Sequence, residues 1–447
     1  MEFKDRKKES KEMQAILNSN RFEFLVLYGR RRIGKTELVL HTTADKKRVY
    51  YLATGEKNLE RFYDVCLEQF PEASNLKKDY EVLFNFLKDK VEVIIIDEFQ
   101  NMIKEDANIL HLMQSIVDTK LKNSQLKLIL LGSSVSMINS KVLNYKSPLY
   151  GRRTATIRLK TVSFLDLLEF FPKFNAEELI ELYGFADGIP YYLIKIDKPL
   201  WRWLEIEMKQ ARSFLRDEVE FLMKYEFDDP STYKLILESI ANGKTKISEI
   251  KDFVKLQRTD ISPYLKNLIE VDLVKREVPI TENVKSRNGR YYLNDNFLKF
   301  WFRFIYPNTS SIEAGIFDIS IIRSNYSDYL GKIFEDVAKQ HLIKNPPLSF
   351  NKIGRWWYKD AEIDLIAIND KSSEVLFAEC KWQTNVDAEK IVIELSKKTD
   401  KVELNNGKRK ENYAVFAKSF KKKIREFEGK KVFCFDLQDI SYVGKLT

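Results

Sequence analysis

Gly29-Arg30-Arg31-Arg32-Ile33-Gly34-Lys35-Thr36 has the residue types and spacing of a phosphate cradle. It fits G-x-x-x-x-G-K-[ST]. Main-chain N–H groups of such a loop wrap a phosphate, and a β-carbon at Gly34 is expected to obstruct that approach. The following helix N-terminus adds the positive end of its dipole. Lys35 is placed to reach the β- and γ-phosphates of ATP, and the Thr36 hydroxyl to ligate Mg²⁺. Residues Gly29 through Thr36, with Glu37 behind them, are the candidate nucleotide cradle. The metal then wants a carboxylate from a strand end. "VEVIIIDEFQ" offers two: Asp97 for Mg²⁺ and Glu98 to polarise the attacking water.

A second constellation lies near the C-terminus. Asp364 is followed fifteen residues later by Glu379-Cys380-Lys381. Residues two apart on a strand share a face, so Glu379 and Lys381 point together. Asp364 and Glu379 can hold Mg²⁺, with Glu335 on the preceding helix completing the metal site. Lys381 can steady or deprotonate the attacking water. This arrangement resembles the pattern of the PD-(D/E)XK nuclease superfamily, and its apolar context, "IDLIAI" and "VLFAECK", reads as strand. The competing reading is a nuclease fold that binds without cleaving.

These residues need elements to hold them. Phe22 to Tyr28 reads as a strand, followed by a glycine-containing turn and a helix from Lys35. "VEVIIID" is a second strand. "LKLILLGSSVSMI" is a third, and Ser133 or Ser134 at its end would lie between the cradle and Asp97, able to sense the γ-phosphate or orient water. Arg152 and Arg153 precede a further strand, Thr154 to Leu159. From there Arg152 could reach a nucleotide on an adjacent subunit, or form part of a solvated basic pair. Residues 173–230 read as helices that form a lid. Then come three helical bursts and a ribbon, "LVKREVPI…RYYLND", which together make a winged helix. Gly243 separates the first burst from the second, Ser248 is the expected cap of the second, and Thr259 or Asp260 of the third. The third helix would present Gln257, Arg258 and Lys266 to a major groove. Lys275, Arg276, Lys285, Arg287 and Arg290 would decorate the wing. Acids at Asp260, Glu270 and Asp272 dilute that face, so an interdomain spacer stays open. "NDNFLKFWFRFIYPN" reads as helical core packing rather than a base-stacking platform. Pro307 and "NTSS" mark a boundary. "KSFKKKIREF" reads as a basic helix.

"FKDRKKESKEM", "YGRRRIGKTEL", "IIIDEFQ", "LYGRRT" and "YGFADGIPYYL" together resemble the archaeal ATPase family, P-loop ATPases related to the AAA+ and STAND groups. The resemblance covers nearly the whole chain. It implies Walker A at Gly34, Lys35 and Thr36, Walker B at Asp97 and a catalytic Glu98. It also implies a G-x-P motif near the nucleotide base, matched by Gly188-Ile189-Pro190. Asp187-Gly188 stands where the family usually has two glycines. No arginine sits beside this motif, so a sensor-2 arginine has no candidate. Members often end in a nuclease-like domain.

The bulk properties fit. A length of 447 residues predicts two to four domains. Hydrophobic residues at 44% supply apolar mass for cores, and the formal charge of +9 favours a polyanionic partner without requiring one. The three cysteines and three histidines form no ligand cluster, and a reducing cytoplasm is expected. No stretch is apolar enough to span a bilayer. The expected class is α/β: a P-loop NTPase core with a parallel sheet and helices on both faces (1–172), a helical lid (173–228), a winged helix (229–306) and an α/β nuclease-like domain (307–447). ATP and Mg²⁺ are the expected cofactors. DNA is the expected partner, and a homo-oligomer fits an Arg152 acting across subunits. Two functions compete: an ATP-dependent enzyme acting on DNA, and a STAND-type nucleotide-operated switch working through protein contacts.

Overall fold

The computed structural model describes residues 6–210, 213–255, 260–404 and 409–442. The chain divides into two units. One comprises Met1–Thr161 with Ile189–Tyr191, and the other Val162–Gly188 with Tyr192–Thr447.

The first unit is built on five strands: β1 (Glu23–Tyr28), β2 (Arg48–Leu52), β3 (Val93–Asp97), β4 (Lys127–Gly132) and β5 (Ala155–Arg158). They run parallel in the order β2-β3-β4-β1-β5. β1, β3 and β4 are buried along their whole length, as strands covered on both faces must be. On one face Leu25, Leu27, Ile95, Ile129 and Leu131 pack against Met13 of the helix Lys7–Leu17 and Leu38 of the helix Lys35–Thr42. On the other, Tyr51 meets Phe62, which stacks on Phe84, at centroid distances of 5.3 and 5.4 Å. This is the expected parallel sheet between helices. The order inserts β4 between β1 and β3, so the ends of all three open on one crevice. β2 was not legible in the sequence, because Arg48-Val49-Tyr50-Tyr51-Leu52 follows the lysine pair Lys46-Lys47 and is half exposed.

The second unit begins with helices. Ala176–Ala186 is fixed at its start by a reciprocal cap between Asn175 and Glu178. Helices Ser231–Ala241, Ile247–Val254 and Ser262–Glu270 then lead into an antiparallel ribbon, β6 (Val274–Glu277) with β7 (Arg290–Leu293). Asp260 accepts from the Ser262 amide at 3.0 Å, near its expected capping place. Ser248 does not cap the second helix but lies inside it. Glu249 instead reaches back to the amides of Thr245 and Lys246 at 3.0 and 3.2 Å, and the helix starts two residues earlier. Gln257, Arg258 and Thr259 lie outside the described residues. The aromatic run is core: Phe297, Phe300, Trp301, Phe302 and Phe304 are buried, and Phe300 meets Phe185 edge-on at 4.9 Å.

A six-stranded sheet follows the 25-residue helix Ser320–Lys344. Its strands are β8 (Lys352–Tyr358), β9 (Ala361–Asn369), β10 (Glu374–Lys381), β12 (Lys410–Ala417), β14 (Glu426–Phe427) and β15 (Lys430–Phe435), in the order β14-β15-β12-β10-β9-β8. β11 (Val386–Asp387) and β13 (Phe420–Lys422) form a separate pair. "GRWWYKDAEIDLIAIND" is a hairpin of β8 and β9 that turns at Lys359, where φ is +52°. The expected basic helix after Lys418 is absent. That stretch is strand, closed by a turn with φ of +49° at Glu428 and +74° at Gly429. Two successive left-handed residues match the twist of a tight hairpin, a signal that the lysine run masked.

Candidate active site

The cradle joins β1 to the helix Lys35–Thr42, with Gly34 at the helix start. Gly34 has φ of +87°, a conformation that favours glycine. A β-carbon there would meet nothing nearer than Pro190 Cγ at 4.0 Å. Backbone conformation, rather than crowding in this arrangement, therefore explains the residue. Lys35 is buried and turned into the loop, its Nζ donating to the carbonyls of Gly29 and Arg30 at 3.0 and 2.8 Å. Arg30, Ile33 and Gly29 are buried, while Arg31 and Glu37 are exposed. Arg32 has φ of +71° and stacks its guanidinium 4.1 Å over the Tyr191 ring. The segment Ile189–Tyr191 thus returns to the loop, with Pro190 facing Gly34. Gly188 precedes it, and a β-carbon there would collide with the Val162 carbonyl at 1.7 Å.

Asp97 ends β3 beside the loop. Thr36 Oγ1 donates to Asp97 Oδ2 at 2.6 Å, and the Tyr50 hydroxyl donates to the same oxygen at 2.9 Å. Burial and then Asp97 push the Tyr50 phenol well above its ordinary range, so it stays a donor. A hydroxyl and a carboxylate that already touch are hard oxygen donors of the kind Mg²⁺ takes beside phosphate oxygens and water. The donor set fits that ion.

Glu98 has φ of +52°. Its Oε2 accepts short hydrogen bonds from Ser133 Oγ and Gln100 Nε2, and Gln100 Nε2 also reaches Ser133 Oγ at 3.4 Å. Ser133 and Gln100 are buried at 1% and 0% exposure, which makes this a fixed contact. Of the two candidate serines, Ser133 is the one at Glu98. Ser134 instead caps the next short helix through the Met137 amide at 3.4 Å. Sequence reasoning missed Gln100 and Tyr50. Gln100 stood in the quoted "DEFQ", but nothing in its type marked it. Tyr50 lay on the unread β2. Arg152 is engaged elsewhere: it holds Asp118 through Nε at 3.0 Å and Nη2 at 2.8 Å, and donates to the Pro148 carbonyl at 2.9 Å.

In the second unit, the register pairing Ala378 with Leu365 brings Asp364 alongside Glu379. Asp364 Oδ2 accepts from the Cys380 amide at 2.9 Å. Burial, then the Glu335 and Glu379 carboxylates, push the Asp364 carboxyl up to about 7. Glu379 Oε1 accepts from Lys381 at 2.9 Å and Lys398 at 3.1 Å. Glu335 pairs with Arg355 at 2.6 Å and Lys332 at 2.9 Å. Each acid is therefore turned to a cation or an amide. Among the described residues, no three of His, Cys, Asp and Glu are gathered as a metal cage. Asp364 nonetheless lies in the field of both Glu335 and Glu379, and Glu379 Oε2 is buried without a hydrogen-bond partner.

Part of the expected basic wing faces inward. Lys275 pairs with Glu277 and Asp336 at 3.0 and 3.3 Å, Arg290 with Glu362 at 3.1 Å, and Arg276 caps the Val284 carbonyl at 2.7 Å. Lys285 and Arg287 are exposed. Lys266, also exposed, lies 3.8 Å from Glu270.

Residues 3–196 match a family profile described as an ATPase domain predominantly from Archaea. Residues 301–391 match one described as archaeal and bacterial proteins of unknown function. An uncharacterised protein of Methanocaldococcus jannaschii is 51% identical over 98% of this chain and 100% of its own. The chain belongs to the archaeal ATPase family. Membership brings with it a nucleotide-binding P-loop domain, which the cradle and Asp97 occupy. A solved Walker-type ATPase of Pyrococcus abyssi superposes with a TM-score of 0.51 at 22% identity, covering 67% of this chain and 96% of its own. That likeness shows the shared fold. Among the described residues, no helix of this archaeal ATPase-family chain is long and apolar enough to cross a membrane.

Proposed function

We propose that this chain hydrolyses ATP with Mg²⁺ and couples that hydrolysis to DNA. The observation that carries the proposal is the direct contact of Thr36 with Asp97, 2.6 Å apart, at the mouth of a cradle whose lysine is already folded inward. In this reading the loop amides and Lys35 hold the β- and γ-phosphates, and Thr36 and Asp97 hold the metal. Held by Thr36 and Asp97, Mg²⁺ would supply charge neutralisation at the phosphates. Glu98 accepts the proton of the attacking water, and Ser133 with Gln100 sets where its carboxylate points. Pro190 and Tyr191 pack against the loop. Arg152 acts on a nucleotide only after releasing Asp118. The three helices and ribbon serve as a winged helix that meets DNA through Lys266, Lys285 and Arg287.

Lys35→Ala should abolish ATP binding in calorimetry. Glu98→Gln should keep ATP bound while hydrolysis falls by about 10²–10⁴-fold, the usual worth of a general base. Normal turnover by Glu98→Gln would remove Glu98 from the mechanism.

A second reading has one observation in its favour. Two acids of the nuclease-like site, Glu335 and Glu379, are paired with cations, as suits a STAND-type switch whose C-terminal domain binds without cutting. Cleavage of DNA with Mg²⁺ or Mn²⁺ decides between them. An enzyme on DNA should cut, and both Asp364→Ala and Lys381→Ala should abolish cutting. Absence of cleavage of every DNA form favours the switch.

A further inference from the structure

The second unit holds a cavity of about 630 Å³ between the ribbon, the helix Ser320–Lys344 and the hairpin β8–β9. Its volume lies within the range of small-ligand sites, roughly 300–1,000 Å³. Six cations line it: Lys275, Arg290, Lys299, Arg303, Lys332 and Arg355. Among the described residues four carboxylates pair with them. Asp336 is shared by Lys275 at 3.3 Å and Lys299 at 3.7 Å. Glu362 is shared by Arg290 at 3.1 Å and Lys332 at 3.6 Å. Glu335 and Glu277 serve Arg355 at 2.6 and 3.6 Å from behind, and each also holds a lysine already counted. Among the described residues Arg303 meets rings rather than acids, lying 5.6 Å from the Phe304 centroid and 5.9 Å from that of Tyr329. Arg290 Nε is buried with no hydrogen-bond partner.

Positive charge gathered on one pocket, partly exposed at Arg303 and Lys332 and partly buried at Arg355, favours entry of an anion. Guanidinium groups suit phosphate oxygens in particular, because their fixed fork matches that geometry. Tyr292 and Tyr329 also line the cavity, with Arg355 5.2 Å over the first ring and Arg303 5.9 Å over the second. Its floor is shared with the nuclease-like acids. Lys332 and Arg355 both hold Glu335, and Glu362 stands two residues before Asp364 on β9.

We propose that this cavity binds a phosphorylated nucleoside unit, as a second site distinct from the Walker loop. The phosphate sits among Arg290, Arg303 and Arg355. The preference for a nucleoside rests on the proposed action on DNA, whereas the anion site stands on the charge count alone. The unit is either a free nucleotide or the phosphorylated end of a strand.

The test uses the full chain carrying Lys35→Ala, which silences the Walker loop, in EDTA. AMP and a short 5′-phosphorylated single strand are titrated separately. Arg303→Glu should weaken at least one of them by about tenfold or more, and Arg303→Lys should restore binding to within about threefold. For the strand, Arg303→Glu should also lower the salt slope by about one. Loss of AMP binding assigns a free nucleotide, and loss of strand binding alone assigns a strand end. Unchanged affinity for both probes, or no binding of either, overturns the site. Mn²⁺-dependent cleavage measured in parallel keeps the two readings apart, since binding that survives without cleavage leaves the cavity standing and removes only the nuclease reading.

Discussion

Glu98 depends on its neighbours as much as on its own carboxylate. Ser133 reaches it from the strand inserted between Walker A and Walker B, and Gln100 from the turn that follows it. Neither would touch the phosphates in the proposed arrangement, so both are positioning residues. Gln100→Ala and Ser133→Ala should lower kcat by about tenfold while leaving KM for ATP near its original value. A rise in KM with kcat unchanged would instead make them binding residues. Ser133→Thr, which keeps the hydroxyl, should recover most of the rate. Lys35, Thr36 and Asp97 were legible in the sequence because their types and spacing are those a phosphate and its metal would dictate. It left Gln100 and Tyr50 silent, because their partners come from other strands and only the sheet order brings them together.

At the scale of elements, the turn into Gly188 carries a buried acid. Asp187 accepts from the Gly188 amide at 2.6 Å and the Asn296 amide at 3.0 Å, and it faces Asp295 at the start of the aromatic helix. Burial, then Asp295, push its carboxyl up to about 6 against those two amides. The folded chain therefore holds a proton there that an unfolded chain, with a carboxyl near about 3.9, would release. This contribution to stability is complete below about pH 4 and is lost as the pH rises through about 6. Asp187→Asn should accordingly lose less stability than the wild type between pH 5 and 7, read as the change in urea midpoint. Equal changes in the two chains would show that Asp187 does not titrate there. Helices and strands with a clean period were legible in the sequence, from β1 to the helix Ser320–Lys344. The β13–β15 strands were not, because lysines and arginines on solvent-facing positions hid the alternation that Phe420, Phe427, Phe433 and Phe435 carry.

At the scale of the whole molecule, the question is how many basic residues remain for DNA. Lys275 and Arg290 are paired with acids and Arg276 is bonded to the ribbon's own loop, which leaves Lys266, Lys285 and Arg287 as the described candidates for backbone contacts. The proposed winged-helix surface should therefore have a shallow salt dependence, with a log–log slope of about −2 to −3 rather than the −5 or steeper of a fully basic wing. Affinity for duplex DNA measured across a salt series checks this. A flat response would exclude phosphate contacts as the basis of binding.

The two units are interleaved along the chain: it leaves the first after Thr161, comes back for Ile189–Tyr191, and departs again. No single cut yields both halves whole. A protease nick near residue 170 would leave Tyr191, and with it the stacking partner of Arg32, on the wrong fragment. Expression of 1–161 alone should give a Walker domain with a loosened loop and weaker nucleotide retention, recoverable by supplying the remainder in trans.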